Sequence, residues 1–384
     1  MNELRSRIVA LFPALDFLDG PAWVVGGAVR DLVRGVEPLD VDVALESAQE
    51  RSGDFAERAG GRLVEMGRHP LESFRVAVEG RVYDFAPIQG ATIESDLGRR
   101  DFTVNAIAFP LHEDAILDPH HGRADISKSI LRLVSASNLD DDPLRVLRGV
   151  RFAQNLSLTI DEKSFGKMAA RVSHIGDVAP ERVTFELRLI LEGADRVKGL
   201  RLLHELGLDV MIFGCEPGLG RIDAVTAASP GDVISALSIL LAELSRSEIE
   251  GLCERWRWPA TWRDGVFQVR SFLRGLEQSR GGDLRILVHD HGLEAASRAA
   301  EWLESSGDSE DSDSIRRVVR EEGIEIAKVV AFLDGCEISE ISGTPPGPSL
   351  GRIKRALLEA QLRGEVTSRD EAILFICESR FGNS

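Results

Sequence analysis

The first quarter of the chain alternates apolar and polar residues with a period of two, which predicts β-strands. The runs are short and bounded by glycine, proline and charged residues, as in the VYDFAPI segment. The last three runs follow one another in hairpin order, so we expect a small mixed sheet. The predicted strands cover residues 23–25, 39–45, 63–66, 74–78 and 82–88.

Elsewhere the apolar residues recur every three or four positions, which predicts helices. One helix is expected over 3–18 and another over 47–59, flanking the sheet. From residue 155 onward every predicted element is a helix, so the chain is predicted to be an α+β protein. These helices cover 161–173, 180–193, 197–207, 232–245, 247–257, 263–276, 282–291, 293–304, 314–322, 324–333, 349–363 and 368–379.

Two polar segments interrupt this helical region. Residues 305–314, SSGDSEDSDS, are too polar to be buried and predict an acidic loop. Residues 342–351 contain a proline–glycine break that leads into a basic helix. A cluster of Trp256, Trp258 and Trp262 is expected in the core, although one of the rings could stack on a base.

Length and composition narrow the class of protein. A chain of 384 residues favours two or more domains. No apolar run reaches the roughly 18–20 residues of a membrane span, and four scattered cysteines favour reduced thiols, so we expect a cytoplasmic protein. The net charge of −17 argues against a nucleic-acid partner, but basic residues outnumber acidic ones in 251–300, which leaves RNA binding open.

The strongest chemical pattern lies between residues 24 and 42. Gly26 and Gly27 follow an apolar strand and precede a helix, an arrangement that lets the backbone approach a phosphate closely. Asp40 and Asp42 are two residues apart on the next strand, so their carboxylates share one face. Paired carboxylates with a nearby phosphate are typical of a magnesium site, and the stretch predicts nucleotidyl transfer.

Two further groups of residues could join this site. Asp84, on the last predicted strand, is either a third metal-ligating carboxylate or a solvent-facing acid. The segment GRRDFTVNAIAF is predicted to open a helix at Arg99 that continues through Asn105. Asp101 there can be simply a helix cap, but the two arginines and Asn105 also suit contacts to triphosphate and ribose.

A helix is also predicted over DDDPLRVLRGVRFA, residues 140–153, with Pro143 in its first turn. Its three arginines lie on one face, which is either a solvated surface or a nucleotide site. Asp142 and Arg145 are three residues apart and can present a donor–acceptor edge to a base. The arginines of this face are Arg145, Arg148 and Arg151.

The pair His120–His121 is expected in a turn rather than at a metal.

Together these motifs resemble the bacterial tRNA nucleotidyltransferase and poly(A) polymerase family, the CCA-adding branch of the polymerase-beta-like superfamily. The motifs occur in the family's order over about residues 20–215, and more loosely to the end. The resemblance implies a catalytic head over 1–136, a base-recognising neck over 137–215, a helical body over 216–304 and a tRNA-binding tail over 305–384. The motifs that carry the resemblance are VVGGAVRD, DVD, GRRDFTVNAIAF, DPHHGRADISKSILRLV, DDPLRVLRGVRFA and PERVTFEL.

The resemblance also implies a role for each matching residue. Asp40 and Asp42, tentatively with Asp84, would hold Mg²⁺, and Asp142 with Arg145 would select CTP or ATP without a nucleic-acid template. The partners implied are the tRNA 3′ end, CTP and possibly ATP, with no membrane and no stable protein partner. Nucleotide contacts would come from Gly26, Gly27, Arg30, Arg99, Arg100, Asp101, Asn105, Arg148 and Arg151, and tRNA contacts from Arg352, Lys354, Arg355 and Arg363.

Three differences from the family pattern modify this prediction. About ten residues, APIQGATIES, separate the last strand from the RRD motif, and such a short connection resembles enzymes that add two cytidines without the terminal adenosine. Asp141 stands where the family has glutamate, with a modest effect expected. ALSILLAEL, 236–244, lies where the optional HD phosphohydrolase module would place its metal ligands, so that module is predicted to be absent.

The predicted function is therefore CC addition to tRNA. Full CCA addition, A addition and poly(A) synthesis are the alternatives within the family. Outside it, a catalytically silent RNA-binding protein would have no need of the acidic pair, and an enzyme that nucleotidylates a small molecule would have no need of the helical tail.

Overall fold

The computed structural model describes residues 2–66, 72–113, 115–278 and 283–378, and it divides into two compact units. The first unit comprises residues 1–215 and the second residues 216–384. The boundary coincides with the predicted end of the neck, while the division into head, neck, body and tail stays a prediction. The mixed sheet and the helical remainder confirm the predicted α+β class.

Six strands form one sheet among the described residues, in the order β3-β4-β5-β2-β1-β6. β2 and β5 are parallel, and the other neighbouring pairs are antiparallel. Five strands lie where the alternating pattern predicts them, and β6 was missed because its three residues are too few to show a period of two. The strands are β1 (Trp23–Val25), β2 (Asp40–Leu45), β3 (Arg62–Met66), β4 (Ser73–Val78), β5 (Arg81–Pro87) and β6 (Ala108–Pro110).

Helices α1 and α3 contribute to the main core of the first unit, which lies on one face of this sheet. Phe55, Tyr83 and Phe85 pack ring against ring in that core, with centroids about 5 Å apart. The single helix predicted over 3–18 is wrong, because Pro13 ends α1 and starts a 3₁₀ turn over Pro13–Phe17. The helices around the sheet are α1 (Asn2–Leu11), α2 (Gly27–Val33), α3 (Ala48–Ala59), α4 (Ile93–Gly98) and α5 (Gly122–Ser127).

The rest of the first unit is helical apart from two short parallel strands, β7 (Ile130–Leu131) and β8 (Thr159–Ile160). The helix predicted from residue 140 instead begins at Arg145, since Pro143 and Leu144 form a turn after a separate short helix. The helices are α6 (Ser137–Asp141), α7 (Arg145–Asn155), α8 (Glu162–Ala169), α9 (Pro180–Glu192), α10 (Arg196–Leu206) and α11 (Leu208–Phe213).

The second unit is helical throughout its described residues. The predicted acidic loop is wrong beyond Asp308, which caps a helix over Ser309–Lys328. This helix joins the two predicted over 314–322 and 324–333, but residues 329–333 are not helical. Ser312 is buried there and donates to the carbonyl of Ala300. The helices are α12 (Leu219–Ala224), α13 (Val233–Leu240), α14 (Arg246–Trp256), α15 (Ala260–Gln278), α16 (Leu284–His291), α17 (Leu293–Ser305), α18 (Ser309–Lys328), α19 (Gly335–Ser342), α20 (Pro348–Leu362) and α21 (Arg369–Glu378).

The tryptophan cluster of the second unit lies in its core. Trp256, Trp258 and Trp262 are buried, as predicted for core residues. Residues 282 and 379, at the ends of two predicted helices, lie outside the described part of the chain. Within that part, none of the helices combines the length and apolar character that crossing a membrane requires.

Gly149 allows α7 to pack closely in the first unit. A Cβ at this position would lie 2.6 Å from Met168 Cε and 2.8 Å from Phe102 Cζ, both buried. We expect Gly149→Ala to destabilise the protein by about 1–3 kcal/mol through this overlap, despite the higher helix propensity of alanine. Urea unfolding monitored by circular dichroism measures the change.

Gly166→Ala is the matched control for this substitution. Gly166 is also inside a helix, α8, but a Cβ there meets nothing within 4 Å. It should stabilise the protein by about 0.5–1 kcal/mol, since only the propensity changes. Equal shifts of the unfolding midpoint in the two variants would contradict the packing argument.

Candidate active site

A cleft of about 520 Å³ in the first unit collects most of the predicted site residues. It lies beside the exposed face of β2 and is closed on another side by α7. Of the predicted head and neck residues, Arg99 and Asp84 are outside this lining. The lining residues are Gly26, Gly27, Arg30, Asp40, Asp42, Arg100, Asp101, Asn105, Asp142, Arg145, Arg148, Arg151 and Phe152.

Asp40 and Asp42 face the cleft because β2 alternates its side chains between two faces. Val41 and Val43 are buried in the core on the opposite face, while both aspartates are exposed. Burial among the cleft atoms raises the pKa of Asp42 to about 6; Arg100 opposes the rise, and Asp40 adds to it. Asp42 is both accessible to solvent and crowded, as expected in a concave site.

Asp84 lies beside Asp42 in the register between β2 and β5. Its two oxygens accept hydrogen bonds from Arg75 Nε and Nη2, both at 2.8 Å. Among the described residues, no group of three or more His, Cys, Asp or Glu side chains is arranged to hold a metal ion. A metal here would thus have Asp40 and Asp42 as its protein ligands, and Asp84 as a third ligand stays a prediction.

Gly26 allows the backbone and the side chain of Arg100 to lie close together at the floor of the cleft. Its φ of +67° favours glycine, and a Cβ would lie 2.9 Å from Arg100 Nη1. Gly27 follows as the first residue of α2. Both glycines line the cleft at the turn where β1 meets α2.

Arg30 is held in a fixed direction by two neighbours. Its Nη1 donates to Asn105 Oδ1 at 2.8 Å, and its Nε and Nη2 donate to the carboxylate of Asp31. Asn105 in turn donates from Nδ2 to Asp101 Oδ1 at 3.0 Å. Arg30 and Asn105, both predicted to contact nucleotide, are thus parts of one hydrogen-bonded network.

The RRD motif differs from the predicted helix. Helix α4 ends at Gly98, before the motif, and only a 3₁₀ turn over Thr103–Asn105 follows. The side chain of Arg100 enters the cleft, whereas Arg99 is exposed outside it. The helix from Arg99 through Asn105 is therefore wrong, and the motif reaches the cleft as an irregular segment packed beneath α7.

Asp101 is buried, and both of its oxygens are bonded to protein groups. Oδ1 accepts from Phe102 N and Asn105 Nδ2, and Oδ2 accepts from Arg148 Nε at 2.9 Å. Burial alone would raise the pKa of Asp101, but Arg148 and these hydrogen bonds lower it below its ordinary value. Asp101 therefore stays charged and fastens α7 to the RRD segment.

The arginines of α7 are oriented by an acid that the sequence analysis did not single out. Glu186, on α9, is buried and accepts from Arg151 Nε at 2.6 Å, with Arg148 Nη1 3.9 Å away. Phe152 lies beneath three guanidinium groups, and the closest, that of Arg151, is 4.4 Å from its ring centroid. The cationic face of α7 is thus built by ion pairs and an aromatic ring rather than solvated.

Both members of the predicted base-reading pair have protein partners. Asp142 accepts hydrogen bonds from Arg182 Nη1 and Nη2, at 3.3 and 2.9 Å. Arg145 Nη1 donates to the carbonyl of Asn138 at 2.9 Å, and burial lowers the pKa of Arg145. Their polar groups are therefore directed before any nucleotide is bound.

Two of the residues that the sequence analysis missed have partners far away in the chain. Glu186 is 35 positions from Arg151, and Arg182 is 40 positions from Asp142. Both belong to PERVTFEL, whose position in the motif order was the available signal. Asp96, which accepts from Arg100, could have been found from its spacing of four residues.

The four predicted tRNA-contacting residues belong to α20 and its C-terminal end, in the second unit. Arg355 makes ion pairs with Asp290 and Glu359, which raise its pKa, and Arg363 lies 3.7 Å from Asp283. Arg352 is exposed and donates to Ser349 Oγ. Lys354 is exposed on the same helix.

The cleft combines the two carboxylates of β2 with five arginines. Asp40 and Asp42 offer the oxygen ligands that magnesium prefers. Arg30, Arg100 and Arg145 offer donors suited to phosphate and to a base edge. Such a cleft can bind a metal–nucleoside triphosphate.

Comparison with known proteins agrees with this chemistry. Residues 22–132 match the family model described as "Poly A polymerase head domain". Residues 157–219 match "Probable RNA and SrmB- binding site of polymerase A". The two matches include the sheet, both carboxylates of β2 and the helix that carries Glu186.

Individual relatives extend this likeness over nearly the whole chain. The A-adding tRNA nucleotidyltransferase of Deinococcus radiodurans is 30% identical over 92% of this chain and 94% of its own length. The CC-adding tRNA nucleotidyltransferase of Geobacter sulfurreducens is 28% identical over 94% and 92%. The crystal structure of the Bacillus stearothermophilus CCA-adding enzyme in complex with CTP has a similar fold, with a TM-score of 0.80 at 24% identity over 98% of both chains. The chain therefore belongs to the bacterial tRNA nucleotidyltransferase and poly(A) polymerase family.

Proposed function

We propose that this protein adds cytidines to the 3′ end of tRNA, with CTP as donor and pyrophosphate as leaving group. The observation that carries the proposal is the single cleft in which Asp40 and Asp42 face Arg100, Asp142 and Arg145. The CC-adding relative that aligns along the whole chain supports it. We place the reaction in the cytoplasm.

The acidic pair is suited to hold Mg²⁺. The two carboxylates share one face of β2. Burial raises the pKa of Asp42 and the neighbouring Asp40 adds to the rise, against the opposing charge of Arg100. When bound there, Mg²⁺ supplies acidity for the tRNA 3′-hydroxyl and charge neutralisation at the leaving pyrophosphate. Asp40 and Asp42 would be its ligands.

The glycines and arginines would position the triphosphate. Gly26 lets the backbone come close, while Arg30 and Arg100 present fixed donors on either side of it. This positioning replaces a covalent intermediate, because in phosphoryl-type transfers orientation and electrostatics supply most of the catalysis.

Asp142 and Arg145 would select the base. A carboxylate accepts from the exocyclic amine of cytosine, and a guanidinium donates to ring acceptors beside it. In the nucleotide-free protein Arg182 and the Asn138 carbonyl occupy these groups. A bound base would exchange these hydrogen bonds for its own.

CC addition rather than full CCA addition is favoured by the short connection between β5 and Arg99. It contains a six-residue helix, α4, fixed at its start by reciprocal bonds between Thr92 and Ser95. A full-length A-adding relative at 30% identity keeps adenosine addition as the second candidate.

Extension of defined tRNA transcripts tests both candidates. A transcript without CCA should gain two cytidines from CTP, and a transcript ending in CC should gain nothing from ATP. The reason is that the connection between β5 and Arg99 is too short to help Asp142 and Arg145 change from CTP to ATP. Gel electrophoresis of labelled transcripts measures the products.

The controls separate chemistry from specificity. Asp40→Ala should lower cytidine addition by about a thousandfold or more, since it removes half of the acidic pair. An equal loss in Asp84→Asn would support Asp84 as a third ligand. Adenosine added to the CC-ended transcript would contradict CC specificity, and undiminished activity of Asp40→Ala would refute the site.

The raised pKa of Asp42 predicts a pH-dependent gain of stability in Asp42→Asn. A pKa of about 6, above the ordinary 3.8, stabilises the metal-free protein below about pH 4, and this stabilisation is lost as the pH rises through 6. The asparagine does not ionise, so its advantage over aspartate should grow from pH 5 to pH 8. Since Asp42 is more than a third exposed, solvent screening should limit the gain to about 1 kcal/mol.

Urea unfolding in EDTA at the two pH values measures this gain. Asp54→Asn, which removes an exposed charge from α3 in the same unit, is the control and should show no such growth with pH. A gain for Asp42→Asn of the same size at pH 5 and pH 8 would contradict the prediction.

We also propose that α20 contacts tRNA phosphates, chiefly through Arg352 and Lys354. Arg355 and Arg363 are engaged with acids of the second unit, so they contribute less. The double variant Arg352→Gln/Lys354→Gln should bind tRNA more weakly and reduce the slope of log affinity against log salt by about 2. Filter binding at several salt concentrations measures the slope.

Arg246→Gln/Arg263→Gln is the matched control, with the same change of charge on α14 and α15 of the same unit. Its salt dependence should equal that of the unsubstituted protein. An unchanged slope in the α20 variant, or an equal change in both, would refute the assignment of α20.

A further inference from the structure

The segment between β5 and Arg99 is packed rather than loose. Ile93 and Leu97 of α4 are buried in a small apolar cluster with Val25 and Ala44 of the sheet. A capping box between Thr92 and Ser95 fixes the first turn of the helix. The backbone of α4 is therefore tied to the strands that carry the site.

Asp96 of α4 is a buried carboxylate, with 7% of its surface exposed. Oδ1 accepts from the backbone N–H of Gln89 at 3.0 Å. Oδ2 accepts from Arg100 Nε at 3.2 Å and from Nη2 at 3.0 Å. Asp96 does not line the cleft itself, so it meets the site only through Arg100.

The bond to Asp96 determines where the rest of the Arg100 guanidinium lies. Its Nε–Nη2 edge faces Asp96, and Nη1 lies 2.9 Å from the position a Cβ of Gly26 would occupy. The charge of Arg100 also acts on Asp42, lowering the pKa that burial raises. Arg100 thus stands between the glycine turn and the acidic pair, where a metal-bound triphosphate would lie.

We propose that Asp96 is a positioning residue that fixes Arg100 for the triphosphate. The inference rests on the proposed function, because it assigns Arg100 to the triphosphate of the donor nucleotide. Without its partner, Arg100 would have many rotamers to lose on binding. It would also have Asp42 as an alternative partner, in competition with the metal.

Asp96 should affect the affinity for triphosphate but not the choice of base. Arg100 lies at the glycine turn, whereas base selection is assigned to Asp142 and Arg145 on another segment. Loss of Asp96 should therefore weaken binding of any triphosphate to the same degree. The ratio of CTP to ATP affinity should stay the same.

Calorimetric titration of the full chain with inorganic triphosphate and Mg²⁺ tests this without requiring turnover. We expect Asp96→Asn to bind about tenfold more weakly, because it loses a charge-assisted, two-point contact to Arg100. In an Arg100→Ala background the same substitution should have no further effect on affinity. Asp96→Glu should restore part of the loss.

Asp209→Asn is the matched control. Asp209 is also buried in the first unit and accepts from a basic side chain, His204, outside the cleft lining. We expect both Asp209→Asn and Asp96→Asn to lower the stability of the protein. Asp209→Asn should leave the triphosphate affinity unchanged. Thermal unfolding run beside the titration establishes that each variant is folded.

Different results would contradict the positioning role of Asp96 and the proposed function. Unchanged affinity in Asp96→Asn, or a loss of equal size with and without Arg100, would overturn the positioning role. A protein that binds triphosphate through Arg100 and Asp96 but adds no nucleotide to tRNA would keep the positioning role and refute the proposed function.

Discussion

The ion pair between Asp101 and Arg148 is the interaction on which the cleft depends. It joins the RRD segment, beside the sheet, to the helix that carries Asp142 and Arg145, with Arg148 Nε 2.9 Å and Nη2 2.8 Å from Oδ2. Removing one partner of a buried pair costs about 3–5 kcal/mol, since the other charge is left uncompensated. Through its second oxygen, Asp101 also orients Asn105, which receives Arg30. One continuous network therefore connects α7 with Arg30 of α2.

This network also explains how five arginines coexist in one cleft before any anion binds. Four of them are balanced locally by acids at the edge of the cleft or behind it, and Arg145 donates to the carbonyl of Asn138. Asp31 faces Arg30, Asp96 faces Arg100, and Glu186 lies between Arg148 and Arg151. The donors of these four arginines are thus held in direction by groups that do not need to move when a nucleotide enters. Preorganised donors of this kind avoid the cost of reorienting the site during the reaction.

The sequence predicted those parts of the site whose partners are close in the chain. The period of two on β2 placed Asp40 and Asp42 on one face, and the motif order identified the family, which the relatives confirm. Contacts between distant segments, such as Glu186 with Arg151, leave no local pattern and were missed. The errors of secondary structure have the same origin: tertiary packing made β6 a strand and α18 one helix, while short windows indicated otherwise. Only Pro13, which ends α1, carried a local signal that was overlooked.

The two halves of the cleft differ in how readily their hydrogen bonds can be exchanged. Asp101 and Glu186 are almost fully buried, so breaking their bonds would leave charges without solvent. Arg182, which holds Asp142, has about half of its side chain exposed, so water can replace that bond at little cost. On the proposed function, a base that arrives at Asp142 would therefore displace a weakly held, solvent-exposed partner, while the buried network stays intact. On the proposed function, nucleotide selection would take place at the exposed end of a cleft whose charged interior is already fixed.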